Sequence, residues 1–152
     1  MSELPTSYLT SHLGYWLRYV SNHVSHSFAR KLAEKDVTVA EWALMRTLYT
    51  NEQAAPSAVA ADMGMTRGAI TKLADRLITK SLLRRKADPN DGRGQTLALT
   101  ASGRRLVPEL AALADQNDAE FFDHLAPGDR AMLEAILKDI VARRGLKTIP
   151  IS

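Results

Sequence analysis

Apolar side chains recur along most of this chain at steps of three and four, the period of an α-helix with one covered face. From about Ser7 to Lys35 the set Leu9, Leu13, Trp16, Leu17, Val20, Val24, Phe28 and Leu32 keeps that spacing, which predicts one long first helix. A helix of that length exceeds what a compact domain of this size needs for itself. Part of its stripe is therefore expected to meet something else, such as a second copy of the chain. Thr38-Val39-Ala40-Glu41 has the form of a capping box, with hydroxyl and carboxylate reciprocally satisfying free N–H groups. The second helix that it opens carries Trp42, Met45, Leu48 and Tyr49 on its apolar side. Pro56 suits a first helical position, and a short third helix runs from it to Met63, ended by Gly64.

Thr66 then caps a fourth helix, with Met65 and Ile70 spaced to form a hydrophobic staple across the cap. Ile70, Leu73, Ala74, Leu77 and Ile78 must face a core, while Arg67, Gly68, Thr71, Lys72, Asp75, Arg76 and Thr79 occupy the other side. After Ser81 the period changes. Residues 82–87 and 95–99 suit short strands, and the Pro, Asn, Asp and Gly cluster over 88–94 suits a hairpin loop between them. Thr100 caps a long fifth helix carrying Leu106, Leu110, Leu113 and Phe121, which Pro108 should bend. Pro127 starts a last helix with Leu133, Ile136, Leu137 and Ile140, stopped at Gly145. Residues 1–6 and 146–152 are expected to be loosely held arms.

Charge sharpens this outline. Residues 66–105 hold ten basic side chains against three acids, a local +7 that leaves −4 on the rest of a chain whose total is +3. A cationic block in an otherwise acidic chain is what a polyanion binder needs, although a solvated basic face would look the same. The chain has no cysteine, which excludes a disulfide framework, a cysteine zinc site, a thiol nucleophile and a thiol redox switch. No run approaches the ~18 uninterrupted apolar residues of a membrane span. Met1-Ser2-Glu3-Leu4-Pro5 lacks the order of a secretion signal, so a cytoplasmic address is expected.

A short helix, the Gly64-Met65 turn and a two-faced helix together match a helix-turn-helix, whose second helix enters a major groove N-terminal end first. Arg67, Lys72 and Arg76 suit guanine edges or phosphates, and Thr71 suits a base edge or a thymine methyl. Gly68 and Ala69 add little bulk at the point of closest approach, and Thr66 opens a helix N-terminus that offers free N–H groups to a phosphate. The basic hairpin that follows completes a DNA-reading unit. Arg93 near its tip suits a narrow minor groove, with Asp91 holding the guanidinium, while Arg84, Arg85 and Lys86 at its base suit phosphates.

The runs Leu82-Leu83-Arg84-Arg85, Asp88-Pro89-Asn90-Asp91-Gly92-Arg93-Gly94 and Leu97-Ala98-Leu99-Thr100-Ala101-Ser102-Gly103 closely resemble the wing signature of MarR-type regulators. Thr66-Arg67-Gly68-Ala69-Ile70-Thr71-Lys72-Leu73 is similar to that family's recognition helix. The resemblance implies a mainly α fold: a winged helix-turn-helix over 38–100, with a two-stranded β wing and long dimerisation helices over 7–35 and 101–145. It also implies an obligate, triangular homodimer on a pseudo-palindromic operator, usually a repressor that leaves DNA when a small ligand binds. By this likeness Asp91 and Arg93 fall on the wing's Asp and minor-groove Arg, and Thr66, Arg67, Thr71, Lys72 and Arg76 on recognition-helix positions. One branch of the family senses peroxide through a cysteine, a mechanism this chain cannot share.

Other candidates point elsewhere. His23 and His26 are three apart on the first helix but have no further ligand nearby in sequence, so no metal and no cofactor is expected. Asp123-His124 lacks any nucleophile motif, and enzyme function is not expected. His12, Trp16 and Arg46 are candidates for a pocket holding a small aromatic or anionic effector, although Trp16 on its apolar stripe equally suits simple core. The expected partners are thus double-stranded DNA, a second copy of the chain and such an effector, with no membrane. The rival from another class is a helical homodimer that uses its hairpin for a protein partner.

Overall fold

The structure, a computed structural model, describes residues 3–87, 90 and 94–147. Six helices and one hairpin follow in the order α1 (Leu13–Ala33), α2 (Val39–Thr50), α3 (Pro56–Met63), α4 (Arg67–Thr79), β1 (Leu83–Ala87), β2 (Gln95–Leu99), α5 (Ala101–Phe122) and α6 (Pro127–Arg143). The first helix begins later than its apolar spacing predicts. A short 3-10 turn, Leu9–Ser11, precedes it, and His12 is extended at φ −99° and ψ 128°. Local bonds hold that break: Ser11 donates to the Tyr8 carbonyl at 2.7 Å and the Trp16 indole to the Thr10 carbonyl at 2.9 Å.

The caps form as their residue types require. Thr38 and Glu41 make the reciprocal box, Thr66 accepts from the Ala69 amide at 3.1 Å, and Thr100 accepts from the Gly103 amide at 3.1 Å. Gly64 closes α3 at φ 64°, a left-handed conformation that glycine adopts without side-chain strain. The same duty at the end of α4 falls to Ser81, at φ 62°. Pro108 lies inside α5, and the helix continues through it.

β1 and β2 pair antiparallel, with Leu83 opposite Leu99 and Arg85 opposite Leu97. A third short edge was invisible in the sequence. Ala54 and Leu97 exchange two backbone bonds, at 3.0 and 2.8 Å, so the segment between α2 and α3 extends the hairpin by one bridge. Because that edge is a single residue, no period announces it.

The core is built from Leu32, Leu44, Met45, Leu48, Val59, Ile70, Leu73, Leu77, Leu83, Leu97, Leu99, Val107 and Leu110. It stops there. None of α6 is buried, and of α1 only Ser27 and Leu32 are. Leu13 is 80% exposed, and Trp16, Leu17, Val20, Ile136, Leu137 and Ile140 are also open. A polar clasp joins α1 to α5 below this open face. Lys31 donates to Ser27, Asn117 and Glu120 at 3.0, 3.0 and 2.7 Å, and the buried Asn117 amide donates to the Val24 carbonyl at 3.1 Å.

Candidate nucleic-acid interface

α4 owes its place to its two faces. Ile70, Leu73, Ala74 and Leu77 are buried, whereas Thr66, Arg67, Gly68, Thr71, Lys72, Asp75, Arg76 and Thr79 are exposed and Ala69 is half-buried. Because Gly64 turns α3 into α4, the capped N-terminus of α4 is presented outward with its free N–H groups. A Cβ added at Gly68 would find only the Thr66 hydroxyl, at 4.0 Å, so nothing inside the protein requires glycine there. The Thr71 hydroxyl donates to the Arg67 carbonyl at 2.9 Å, which commits its proton to the helix and leaves its methyl and lone pairs outward.

The basic side chains divide into two groups. Among the described residues Arg67, Lys72, Arg84 and Lys86 are exposed and have no ion pair. Arg76, Lys80 and Arg85 are engaged internally. Arg76 lies with Nε 3.8 Å from Glu41 Oε2 and donates to the Thr38 hydroxyl at 3.4 Å. Lys80 reaches both Glu41 oxygens, at 3.1 and 3.2 Å, and the Asp36 carbonyl at 2.6 Å. Arg85 Nη2 is 2.6 Å from Asp75 Oδ1. Spacing along the chain does not announce these pairs, since Glu41 precedes Lys80 by 39 residues.

Glu41 is fully buried beneath this surface. Burial pushes its carboxyl up, but the Thr38 N–H, Lys80 and the Thr38 hydroxyl together hold it below its ordinary value. Its Oε2 has ion contacts without hydrogen-bond geometry, so the nearby cations carry that oxygen.

The wing-tip pair Asp91 and Arg93 lies outside the described residues. The three effector candidates make separate contacts. His12 pairs with Ser7 at 3.2 Å, Trp16 packs edge-on against Tyr15, and Arg46 donates to Thr50 at 2.8 Å while lying over the Tyr49 ring. Arg104 covers the same ring at 5.1 Å, a cationic neighbour that the sequence reading counted only as charge. An open cavity of about 310 Å³ lies instead between the end of α5 and α6, lined by Phe122, Leu125, Leu133 and Leu137, with Arg130 and Asp118 paired at its rim. Among the described residues no group of three or more His, Cys, Asp and Glu side chains is placed to hold a metal ion. No helix among them is long and apolar enough to cross a membrane.

The MarR family model matches residues 37–94, which span α2 to the wing. The multiple antibiotic resistance protein MarR of Escherichia coli is 25% identical over 130 residues, covering 85% of this chain and 90% of its own. A mutant of that MarR, solved in complex with operator DNA, superposes with a TM-score of 0.75 at 25% identity, covering 85% of this chain and 93% of that one. CouR of Rhodococcus jostii, solved with p-coumaroyl-CoA bound, superposes with a TM-score of 0.77 at 23% identity, covering 96% of this chain and all of that one.

Proposed function

We propose that the chain is a winged helix-turn-helix protein of the MarR type, a sequence-specific DNA-binding transcriptional regulator that works as a homodimer and answers to a small ligand. One observation carries the reading: an exposed helix face whose cations Arg67 and Lys72 have no ion pair among the described residues, opened by a capped N-terminus and flanked by a basic wing. Positive charge left without an internal acid is what a phosphate backbone neutralises. In this reading Arg67, Thr71 and Lys72 contact base edges, Thr66, Gly68 and Ala69 let the helix start approach closely, and Arg84 and Lys86 contact phosphates. Arg76 contributes from the edge of the same face, and Arg93, held by Asp91, enters the minor groove. Gly68 supports the close approach, because the fold itself leaves room for a side chain there.

Residues 7–35 and 101–145 are proposed as the dimer scaffold and 38–100 as the reading unit. The open apolar faces of α1 and α6 support that division, since two copies would cover them. A two-fold dimer calls for a pseudo-palindromic operator with half-sites about one helical turn apart, and repression is the proposed outcome of occupying it. Solved relatives with operator DNA and with p-coumaroyl-CoA support a DNA partner and an effector. The effector is proposed to be a small aromatic or anionic molecule, with His12, Trp16 and Arg46 as candidate contacts. The protein acts in the cytoplasm without enzymatic chemistry and without a cofactor.

A salt series on DNA from upstream of the protein's own gene tests the reading. Log affinity should fall with log salt by about 0.9 per phosphate neutralised, and a flat response would favour a protein partner for the wing. Arg93→Ala should weaken binding broadly with the dimer intact. Gly68→Ala separates fold from function: it should leave folding stability at or slightly above that of the parent and still weaken DNA binding.

A further inference from the structure

Three cations of the basic block pair with acids of the protein itself, and one of these pairs joins the two DNA-reading elements. Arg85 stands on the face of β1 that it shares with Leu83, and its cross-strand neighbour is Leu97; Leu83 and Leu97 are both buried. Side chains alternate along a strand, so Arg84 and Lys86 leave from the opposite face. The Arg85 side chain, 35% exposed, reaches back with its guanidinium to Asp75 on the outward side of α4 at 2.6 Å. No other ion pair in the described residues connects α4 to the wing. An ion pair at this exposure adds little to stability, so its consequence lies in geometry.

We propose that Asp75 and Arg85 form a clasp that sets the angle of the wing to the recognition helix, making Arg85 a positioning residue and not a phosphate ligand. This rests on the DNA-binding reading above. A helix in the major groove and a hairpin in the neighbouring minor groove must engage together, and each degree of freedom between them costs affinity. An acid on a surface that meets a polyanion is otherwise a liability. Asp75 is kept there because its charge is already neutralised by Arg85.

The clasp reverses the usual sign of an electrostatic substitution. If Arg85 were a phosphate ligand, Asp75→Asn would remove a repulsive charge, free the guanidinium and tighten binding to DNA. The clasp requires the opposite. Asp75→Asn and Arg85→Gln should each weaken binding to a duplex from the protein's own upstream region about fivefold, the upper range for one exposed pair. The slope of log affinity against log salt should stay that of the parent protein, and the exchange Asp75→Arg with Arg85→Asp should recover most of the loss. Tighter binding by Asp75→Asn, or a slope reduced by about 0.9 in Arg85→Gln, overturns the proposal.

A second measurement needs no DNA. The chain lacks cysteine, so spin labels on Thr79→Cys and Lys86→Cys, in protein mixed with excess unlabelled parent so that each dimer carries one labelled copy, report the distance from α4 to the wing. That distance distribution should broaden on adding Asp75→Asn and narrow again in the charge exchange. An unchanged distribution overturns the clasp. Failure of the parent protein to bind any duplex at low salt would instead remove the DNA reading, and the label distances would still decide whether the clasp exists.

Discussion

The stretch from Val37 to Leu110 and the helices that flank it follow opposite rules. Within the first, apolar side chains of α2, α3, α4, the wing and the start of α5 cover one another, and its buried acid Glu41 is met by a cap and two cations. Along α6 and the first half of α1, apolar residues keep the same helical spacing but face outward. Period alone shows that a face will be covered, not by what. The inner unit closes on itself; the outer helices leave their apolar faces open.

The largest effect should come from breaking the inner unit. Leu44→Ala removes a fully buried side chain and should cost about 2–5 kcal/mol in denaturant unfolding, independent of protein concentration. Ile136→Lys should leave that stability intact and act on association instead, by about 2–4 kcal/mol, read as a concentration-dependent shift to monomer in sedimentation. Equal effects of the two on unfolding and assembly would erase the distinction between the regions. Gly103→Ala drives a Cβ into the Leu82 carbonyl and should cost about 1–3 kcal/mol, whereas Gly128→Ala on α6 meets nothing within 4 Å and should leave the unfolding midpoint near that of the parent.

Titration separates the regions more gently. Because the folded protein holds Glu41 below its ordinary value of 4.5, folding favours the ionised carboxylate. That contribution is complete above about pH 4.5 and fades as pH falls through the lowered folded value. The stability gap between the parent and Glu41→Gln should therefore be present at neutral pH and shrink in acid, as followed by urea unfolding at several pH values. A small gain is expected at Ser81. It holds a left-handed conformation where Gly64 ends the preceding helix freely, so Ser81→Gly should raise stability by up to about 1 kcal/mol in thermal melts.

How much of this was legible depended on distance along the chain. α4 could be read because its cap, staple and apolar period all lie within 14 residues, and Thr38 announced Glu41 three positions ahead. The hairpin was legible from its turn residues. Strand alternation separates Arg85, on the face of Leu83 and Leu97, from Arg84 and Lys86 on the other, a division that the run of three basic residues does not announce. The Glu41–Lys80 pair and the Ala54–Leu97 bridge connect residues about forty apart, and only packing brings them together. The break at His12 is held by a tryptophan bonding back six residues, a pattern with no period. At Ser81 the expected glycine is missing, so the reversal at the end of α4 left no mark.

Gly103 has one further consequence. The first turn of α5 lies so close to the root of β1 that only a hydrogen fits between them, and Thr100 ties the same place twice, to the carbonyls of Ser81 and Leu82. The long fifth helix and the hairpin are thus welded at their shared origin. If the far end of α5 is tilted, the hairpin swings with it as the short arm of a lever.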